Sequence, residues 1–386
     1  MNTSNKFSTA LFFLLVLQLA SISISIAVSS IAFGLMLLLL LVWSFTERRW
    51  LLARTPLDYF ILVYIVIEFL TTITAVHPFD ALHNTKRLLL ILLVYVIILS
   101  FDSKRKILLS LKIISGVIAL LSVFEISAYF FEHQDRLFMF QHYMTTGGLK
   151  MIIGLLLMPF LFNPHTPKKE KIFLAAAFIP VLLALMLTNT RSSWLGFLGG
   201  IILISALQYR KLFAALLIFI AAFFLFAPQH QVQRAKSIID VNDPTNHARL
   251  VMWKTGWRIA HNYPLLGIGD TDIHYMYEKY KDADDVEGGG HLHNNFVTLL
   301  VTIGGIGLTI VLALFAKIIS VEFSLFKKLK NDWLAGSIVL GSLAVFIGFL
   351  INGMFEWNFG DHEIMVFVWS SIGLVFAADR VSAEEK

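Results

Sequence analysis

The chain places a histidine where a long hydrophilic stretch ends and an apolar segment begins. His293 and Asn294 open this segment, and after nine intervening residues the sequence reads Gly304-Gly305-Ile306-Gly307. An imidazole has an unperturbed pKa of ~6.5, so it accepts a proton near neutral pH. Residues 288–295 are glycine-rich and polar, and we therefore expect a water-accessible helix start. His293 is the candidate catalytic residue, acting as a proton acceptor.

The composition indicates what surrounds this junction. Hydrophobic residues make up 57% of the 386-residue chain and charged residues only 15%. Runs such as residues 31–42 are too apolar for a soluble domain, so the chain is predicted to be an all-α integral membrane protein. Apolar segments between charged or turn-forming breaks predict twelve transmembrane helices, near residues 8–25, 28–45, 57–75, 86–100, 107–130, 144–163, 171–188, 193–208, 211–227, 295–318, 333–352 and 363–378.

The predicted spans divide the chain into three parts. Residues 1–227 form an N-terminal bundle of nine spans, and residues 293–386 form a C-terminal bundle of three spans with a short tail. Between them, residues 228–292 form one long loop, in which residues 247–257 have the pattern of an amphipathic helix on a membrane surface. The apolar N-terminus resembles a signal sequence, but it lacks a convincing small-residue cleavage site and is interpreted as the first span.

Basic residues predict the orientation of these spans. The connections that contain Lys104-Arg105-Lys106, Lys168-Lys169 and Lys327-Lys328 all fall on one side, and by the positive-inside rule this side is cytoplasmic, together with both termini. The long loop and His293 then face the periplasm. On this topology, eleven of the twelve histidines, all but His165, lie outside the cytoplasm.

Two arginines lie on the same outer side as His293. Arg191 falls in the tight turn between the seventh and eighth spans, where a guanidinium costs up to ~3 kcal/mol if it sinks toward the bilayer centre. Arg249 lies in the amphipathic segment of the long loop. One interpretation is that Arg191 snorkels and Arg249 binds lipid phosphate. The other is that both bind a phosphate ligand, because a guanidinium grips phosphate oxygens bidentately.

The sequence argues against a metal site and against nucleotide-driven transport. His291 and His293 are close in sequence, but an i, i+2 pair entering a helix is not expected to put both imidazoles on one face, and no third ligand follows at helical spacing. Asp270-Thr271-Asp272 and Asp284-Asp285 are predicted to be solvated turns. The chain has no cysteine for a thiolate site. It also has no glycine-rich phosphate loop with its lysine, which argues against ATP-driven transport.

The helix after His293 is predicted to pack closely in the bundle. Small residues on a span usually permit close helix contacts, so Gly304 and Gly307 are expected to be packing residues that place the histidine helix. Residues that recur at three to four positions also make a polar or small stripe along this helix: Asn294, Thr298, Thr302, Gly305 and Thr309.

These segments together resemble the O-antigen ligase family, which includes O-antigen polymerases and periplasmic O-oligosaccharyltransferases. The resemblance rests on residues 188–196, 248–253 and 264–269, and on the ligase signature of His followed by Asn, Ser or Gln, nine residues, and then Gly-x-x-Gly. His293, Asn294, Gly304 and Gly307 match that signature. The similarity covers about half of the chain, from the seventh span onward.

The resemblance implies a fold like that of the glycosyltransferase C superfamily and an inverting glycosyltransferase without metal or cofactor. The donor would be a glycan on undecaprenyl diphosphate, and the acceptor would be a sugar hydroxyl of lipid A-core at the periplasmic face of the bacterial inner membrane. His293 would take the acceptor proton, with Asn294 and His291 as supporting residues. Arg191 and Arg249 would neutralise the departing diphosphate.

Two other functions remain open, and one segment has no assigned role. A polymerase would use the same donor and another acceptor. A transporter or flippase for lipid-linked glycans would normally show charges within span centres and related halves, and neither is evident in the sequence. Membrane lipids are expected partners and nucleic acid is not. The last outer connection mixes acids with aromatic residues, as sugar-binding surfaces do, and could contact a glycan or only cap the bundle; its acids are Glu356, Asp361 and Glu363.

Overall fold

The computed structural model describes residues 3–48, 50–283 and 291–384, and the regular elements of these residues are all helices. The predicted turn at Asp284-Asp285 and the glycine run 288–290 lie outside the described residues. The N-terminal helices are α1 Thr3–Ser21, α2 Ile26–Glu47, α3 Asp58–Ile73, α4 Pro78–Asn84, a 3-10 helix Thr85–Ile91 that continues into α5 Leu92–Ser100, α6 Lys104–Phe131, α7 Tyr143–Phe162, α8 Lys168–Leu187, α9 Arg191–Leu207 and α10 Arg210–Phe226.

The long loop contains three helices, and the C-terminal bundle contains three more. The loop helices are α11 Gln229–Lys236, α12 Pro244–Asn262 and α13 His274–Tyr280, and the last helices are α14 Asn295–Leu329, α15 Trp333–Asn352 and α16 His362–Glu384. Local sequence explains where several of these helices begin. The Asp332 carboxylate, for example, accepts hydrogen bonds from the backbone N–H groups of Leu334 at 2.9 Å and Ala335 at 3.0 Å, which caps α15.

Eight helical segments of the described residues are long and apolar enough to cross a membrane, and they make the chain a multi-pass membrane protein. They comprise α2, the continuous segment Pro78–Ser100, α6, α7, α8, α14, α15 and α16. The other four predicted spans coincide with α1, α3, α9 and α10, which are shorter or less apolar. The count of twelve spans therefore stays a prediction.

Helices α7, α15 and α16 form the centre of the bundle, whereas α2 and α8 leave most of their surface exposed. Small residues let the central helices approach closely. A Cβ on Gly341 of α15 would lie 2.8 Å from the carbonyl oxygen of Leu156 in α7, so no larger residue fits there without a shift. This packing fixes the start of α16 and the end of α15, which flank the last outer connection.

The connections predicted to lie outside the cytoplasm gather at one end of the bundle. The backbone N–H of Val76, after α3, donates to the carbonyl of Ile268 in the long loop at 2.9 Å. The N–H of Asn295 likewise donates to the carbonyl of Gly353, after α15, at 2.7 Å. At the other end Lys104 pairs with Asp332 at 3.0 Å. Which end faces the periplasm stays a prediction.

Helix α14 is interrupted at Gly304, so the polar or small stripe predicted along it is divided between two helical parts. Gly304 has φ 68° and ψ −176°, a conformation outside the helical region, and a Cβ there would overlap the Leu265 carbonyl. The long loop supplies the hydrogen bonds that the helix loses. The N–H of Gly305 donates to the Pro264 carbonyl at 2.8 Å, and the N–H of Ile268 donates to the Val301 carbonyl at 2.9 Å.

Charged side chains are buried within the spans, contrary to the expectation of uncharged span centres. Lys150 of α7 pairs with Glu125 of α6 at 2.7 Å, and both side chains are buried. Arg87 contacts Glu68 of α3 at 2.8 Å and Asp270 of the long loop at 3.1 Å. Asp270 is therefore a buried ion-pair partner and not part of a solvated turn. Hydropathy misses these residues because each is isolated in its own segment and finds its partner on another.

Candidate functional site

The structure brings His293 together with an acid from the connection between α15 and α16. The Nδ1 atom of His293 lies 3.2 Å from each of the two carboxylate oxygens of Glu356. Burial raises the pKa of the Glu356 carboxyl, but hydrogen bonding from His291 and His293 outweighs burial and holds its pKa at about 2. An ionised carboxylate accepts the Nδ1 proton, so Nε2 of His293 keeps a free lone pair and can accept a proton.

The backbone of His293 is held in an uncommon conformation from both sides. Its φ is 46°, in the left-handed region, which costs on the order of 1–3 kcal/mol for a residue other than glycine. On one side, the indole N–H of Trp253 in α12 donates to the Leu292 carbonyl at 3.0 Å. On the other side, the Asn294 side chain caps α14 by accepting from the N–H of Phe296 at 2.8 Å. The surrounding structure therefore fixes where the imidazole lies.

Asn294 and its neighbour also fasten the loop that contains Glu356. The side-chain amide of Asn294 donates to the Met354 carbonyl at 2.9 Å. Asn295 donates from Nδ2 to Oδ1 of Asn358 at 2.5 Å and accepts from the N–H of Phe359 at 3.0 Å. These bonds lie on both sides of Glu356 in the chain. The supporting role expected for Asn294 thus takes the form of a helix cap and a loop anchor.

His291 lies beside His293. The expectation that two histidines at i and i+2 would not share one face, which argued against a metal site, is therefore wrong. The two ring centroids are 4.1 Å apart, and Nε2 of His291 lies 3.6 Å from Oε1 of Glu356. The ligand atoms of His291, His293 and Glu356 all lie within 4.8 Å of one another, a spacing that could hold a metal ion. Helical spacing did not predict this group because both histidines precede α14 and because Glu356 comes from a distant loop.

These side chains line a cavity of about 700 Å³ at the end of the bundle that carries the long loop. One wall comes from the start of α7, including His142 and Tyr143, and another comes from α12, including Arg249. The loop after α15 closes it with Trp357. Polar and aromatic groups from segments far apart in sequence therefore surround His293 and leave room for a substrate group.

Arg249 is the arginine of α12 that lines this cavity. Its Nε atom is buried and has no hydrogen-bond partner within the part of the chain that the structure describes. Burial lowers the pKa of Arg249, while the charge of Glu356 raises it. A guanidinium stays protonated at neutral pH even so, and a half-buried guanidinium whose Nε atom lacks a hydrogen-bond partner is a favourable position for an anionic ligand.

Helix α12 itself packs more deeply than the surface helix predicted for residues 247–257. Met252 and Ile259 of α12 join Leu292 and Val301 in an apolar cluster at the start of α14, whereas Trp257 is exposed. This packing sets the distance between Arg249 and the His293 junction.

Arg191 already has an anionic partner in this structure. It is buried at the first turn of α9 and contacts Oδ1 of Asp243 at 3.1 Å, and its other amino group donates to the Ser237 hydroxyl at 2.7 Å and carbonyl at 2.8 Å. It also donates to the Thr245 hydroxyl. Burial raises the pKa of Asp243, but the hydrogen bond from Thr245 and the charge of Arg191 lower it to about 2. Through these contacts Arg191 connects the start of α9 to the segment that begins α12.

Two further arginines, which the sequence analysis did not identify, lie near these contacts of Arg191. Arg234 of α11 donates to the Asn189 carbonyl at 3.3 Å, and the guanidinium of Arg136 lies 4.4 Å from the ring centre of Tyr143. Burial and then the charges of Arg191, Arg136 and Arg249 hold the pKa of Arg234 at about 10. Four arginines thus raise the local positive potential. Arg136 follows α6 and Arg234 begins the long loop, so only their shared outer side in the predicted topology hinted at this cluster.

The loop after α15 also contributes residues whose roles the sequence left open. Thr145 of α7 donates to Oδ2 of Asp361 at 2.8 Å, and Asp361 lines the cavity together with Glu356. Gly304 and Gly307 do not line it. Gly304 forms the break in α14, and a Cβ on Gly307 would overlap the side chain of Ile303.

Comparison with known proteins supports the same region of the chain. The model of the O-antigen ligase family matches residues 176–312, from α8 to α14, and this range contains Arg191, Arg249 and His293. A protein described as a putative polysaccharide ligase, from Rickettsia bellii (strain RML369-C), is 29% identical over 193 residues, which are 47% of this chain and 45% of that protein. The match thus spans about half of the length of this curated relative. The resemblance seen in the sequence is confirmed, since residues 176–312 match the model of the O-antigen ligase family.

Proposed function

We propose that this protein is an inverting glycosyltransferase that moves a glycan from undecaprenyl diphosphate to a sugar hydroxyl of lipid A-core. The family match supports glycosyl transfer of the polysaccharide ligase or polymerase type. The observation that carries the proposal is the contact between His293 and Glu356 in a cavity that also contains Arg249. A base, an acid that orients it and a cation for a phosphate leaving group are the parts that such a transfer needs.

In this mechanism His293 acts as the general base. Its Nε2 takes the proton of the acceptor hydroxyl while the hydroxyl oxygen attacks the anomeric carbon of the donor sugar. The bond from that carbon to the diphosphate oxygen breaks, and undecaprenyl diphosphate leaves with the electron pair. General base catalysis of this kind contributes ~10²–10⁴ in rate. Glu356 holds the imidazole in the required tautomer and stabilises the imidazolium that forms, as the aspartate does in a catalytic triad.

Arg249 is the better placed of the two predicted diphosphate ligands. It lines the same cavity as His293 and has a buried, unpartnered Nε atom. Preorganised cations that meet developing negative charge are worth roughly 3–4 kcal/mol when one is removed. Arg191 reaches the diphosphate only if the donor displaces Asp243. Its present contacts support a positioning role, since they hold the start of the helix that carries Arg249.

The reaction is proposed to need no metal ion, because the arginines supply the positive charge that a divalent metal supplies elsewhere. Purified protein, lipid-linked glycan and acceptor should give product in excess chelator. Loss of activity in chelator that magnesium or manganese restores would overturn this part of the proposal.

In cells, a deletion strain distinguishes the two enzyme candidates, a ligase and a polymerase. Loss of a ligase leaves lipid-linked polymer unattached, whereas loss of a polymerase leaves single repeat units on the core.

Transport of lipid-linked glycans is the second candidate, and the buried pair of Lys150 and Glu125 is the observation that favours it. Ionisable residues inside spans often mark a translocation pathway. This pair lies between α6 and α7 and does not line the cavity of His293. Substitution of His293 distinguishes the candidates, because a transporter does not need a base at that position to move its cargo.

A further inference from the structure

We propose that His291, His293 and Glu356 form a binding site for a transition-metal cation such as Zn²⁺, and that the bound cation inhibits glycosyl transfer. The binding site is inferred from geometry alone. The inhibition rests on the proposed function, because it requires His293 to act as the base.

The three ligand atoms are already close to the arrangement that zinc requires. A tetrahedral site with bonds of about 2.0–2.2 Å places its ligand atoms ~3.3–3.6 Å apart. Nδ1 of His293 lies 3.2 Å and Nε2 of His291 lies 3.6 Å from Oε1 of Glu356. The largest separation among the three is within 4.8 Å. The His291 side chain is 44% exposed, so a small rotation of this ring can close the site.

The donor set also fits this class of cation. Two imidazoles and one carboxylate are the ligands of many zinc sites that keep a fourth position open. The cavity of about 700 Å³ has room for a water molecule at that position. Glu356 is held in place, since its Oε1 also accepts the N–H of Trp357 at 3.1 Å. The chain has no cysteine that would compete as a softer ligand.

Inhibition follows from which nitrogen of His293 the cation would use. Nδ1 faces Glu356, so a metal held between them binds Nδ1 and displaces its proton. The remaining ring proton then sits on Nε2, which can no longer accept the proton of the acceptor hydroxyl. The cation also takes the carboxylate that stabilises the imidazolium. Zinc and catalysis therefore require opposite tautomers of the same ring.

Binding is tested on the full-length protein, purified without a polyhistidine tag, with Co²⁺ and Zn²⁺ as the probes. Co²⁺ should give the visible absorption of a tetrahedral site, and Zn²⁺ should displace it. His291→Ala should weaken Zn²⁺ binding at least about 10-fold by calorimetry, because it removes one of three ligands. His77→Ala is the matched control, since His77 lies at the same end of the bundle but contacts Tyr275 instead. Equal affinity in wild type and His291→Ala would overturn the site.

Inhibition is tested in the transfer assay, with each variant compared with its own rate in the absence of zinc. Zn²⁺ should inhibit the wild type and the His77→Ala control, and excess chelator should restore both. His291→Ala should require at least about 10-fold more Zn²⁺ for the same fractional inhibition. Stimulation by Zn²⁺, or equal sensitivity of His291→Ala, would overturn the inference. Full transfer by His293→Ala would instead overturn the proposed function while leaving the binding result in place.

Discussion

Nδ1 of His293 lies 3.2 Å from both carboxylate oxygens of Glu356, although 63 residues separate them in the chain. The pair forms because Asn294 and Asn295 fasten the loop after α15 to the start of α14. A helix cap and a catalytic pair are thus parts of one local structure. Substitutions at this junction should therefore separate into those that remove chemistry and those that loosen the loop.

Glu356→Gln should lower transfer by about 10- to 100-fold while leaving the loop in place. Glutamine has nearly the same shape but no charge, so it stabilises the imidazolium less and does not enforce the Nδ1–H tautomer. Initial rates in membranes at matched protein level are the measurement. In a His293→Ala background the same substitution should have little further effect, because residues that act as a unit are strongly non-additive. Additive losses in the double variant would argue that Glu356 acts independently of His293.

His293→Ala should lower transfer to a small residual rate without reducing expression or membrane insertion. The imidazole is only half-buried at a cavity wall, so its removal costs chemistry rather than core packing. Loss of a general base is worth ~10²–10⁴ in rate. His291→Ala should be milder in the same assay. Near-normal product from His293→Ala would refute a general base at this position.

The orientation of the bundle predicts which residues a membrane-impermeant thiol reagent reaches. The cysteine-free chain allows single cysteines at exposed positions, two in the long loop and one at the start of α8: Gln233, His261 and Lys169. In intact spheroplasts the first two should be labelled and the third should not. Labelling of Lys169→Cys alone would show that the orientation is opposite to the predicted one. A site at Asp284 serves equally well as a test of the loop, although it lies outside the described residues.

The sequence predicted the parts of the fold that depend on hydropathy and missed those that depend on long-range contacts. Composition and apolar runs were enough to place helices at all the predicted spans, because membrane spans satisfy their hydrogen bonds within one segment. The break at Gly304 was missed, because the carbonyl groups that replace its helical bonds come from the distant segment 264–269.

The site was predicted to the same limited extent. The motif residue His293 and the cavity arginine Arg249 were both identified from sequence. The close approach of the His291 and His293 rings was not, because it depends on the left-handed backbone of His293. The pairing of Arg191 with Asp243 was also missed, since the two are 52 residues apart and no spacing rule connects them.

Gly304→Ala should destabilise the protein more than a substitution at a glycine in open space. Alanine is strained at φ 68° and its Cβ would overlap the Leu265 carbonyl, so the loop segment must move away from α14. A cost of on the order of 1–3 kcal/mol is expected, seen as a lower melting temperature in detergent. Gly34→Ala is the matched control, because its Cβ would meet nothing within 4 Å. Equal melting temperatures for the two variants would contradict a structural role for the break.

Conservative changes at the two arginines should reveal which one contacts the diphosphate. Arg249→Lys should lower transfer by about 10²-fold or more, because an ammonium keeps the charge but cannot provide the planar, bidentate grip. Arg191→Lys should also be damaging, since lysine cannot hold Ser237, Asp243 and Thr245 together. Transfer rates and the apparent affinity for the lipid-linked donor are both measured.

Asp243→Asn separates the two possible roles of Arg191. If Arg191 positions α12 through Asp243, the asparagine variant should resemble Arg191→Lys, with reduced transfer and a loop that proteases cleave more readily. If Arg191 instead binds the diphosphate directly, removing its competing carboxylate should free the guanidinium and tighten donor binding. We expect the first result, because Arg191 is 6% exposed and does not line the cavity of His293. Tighter donor binding by Asp243→Asn would move Arg191 into the diphosphate site itself.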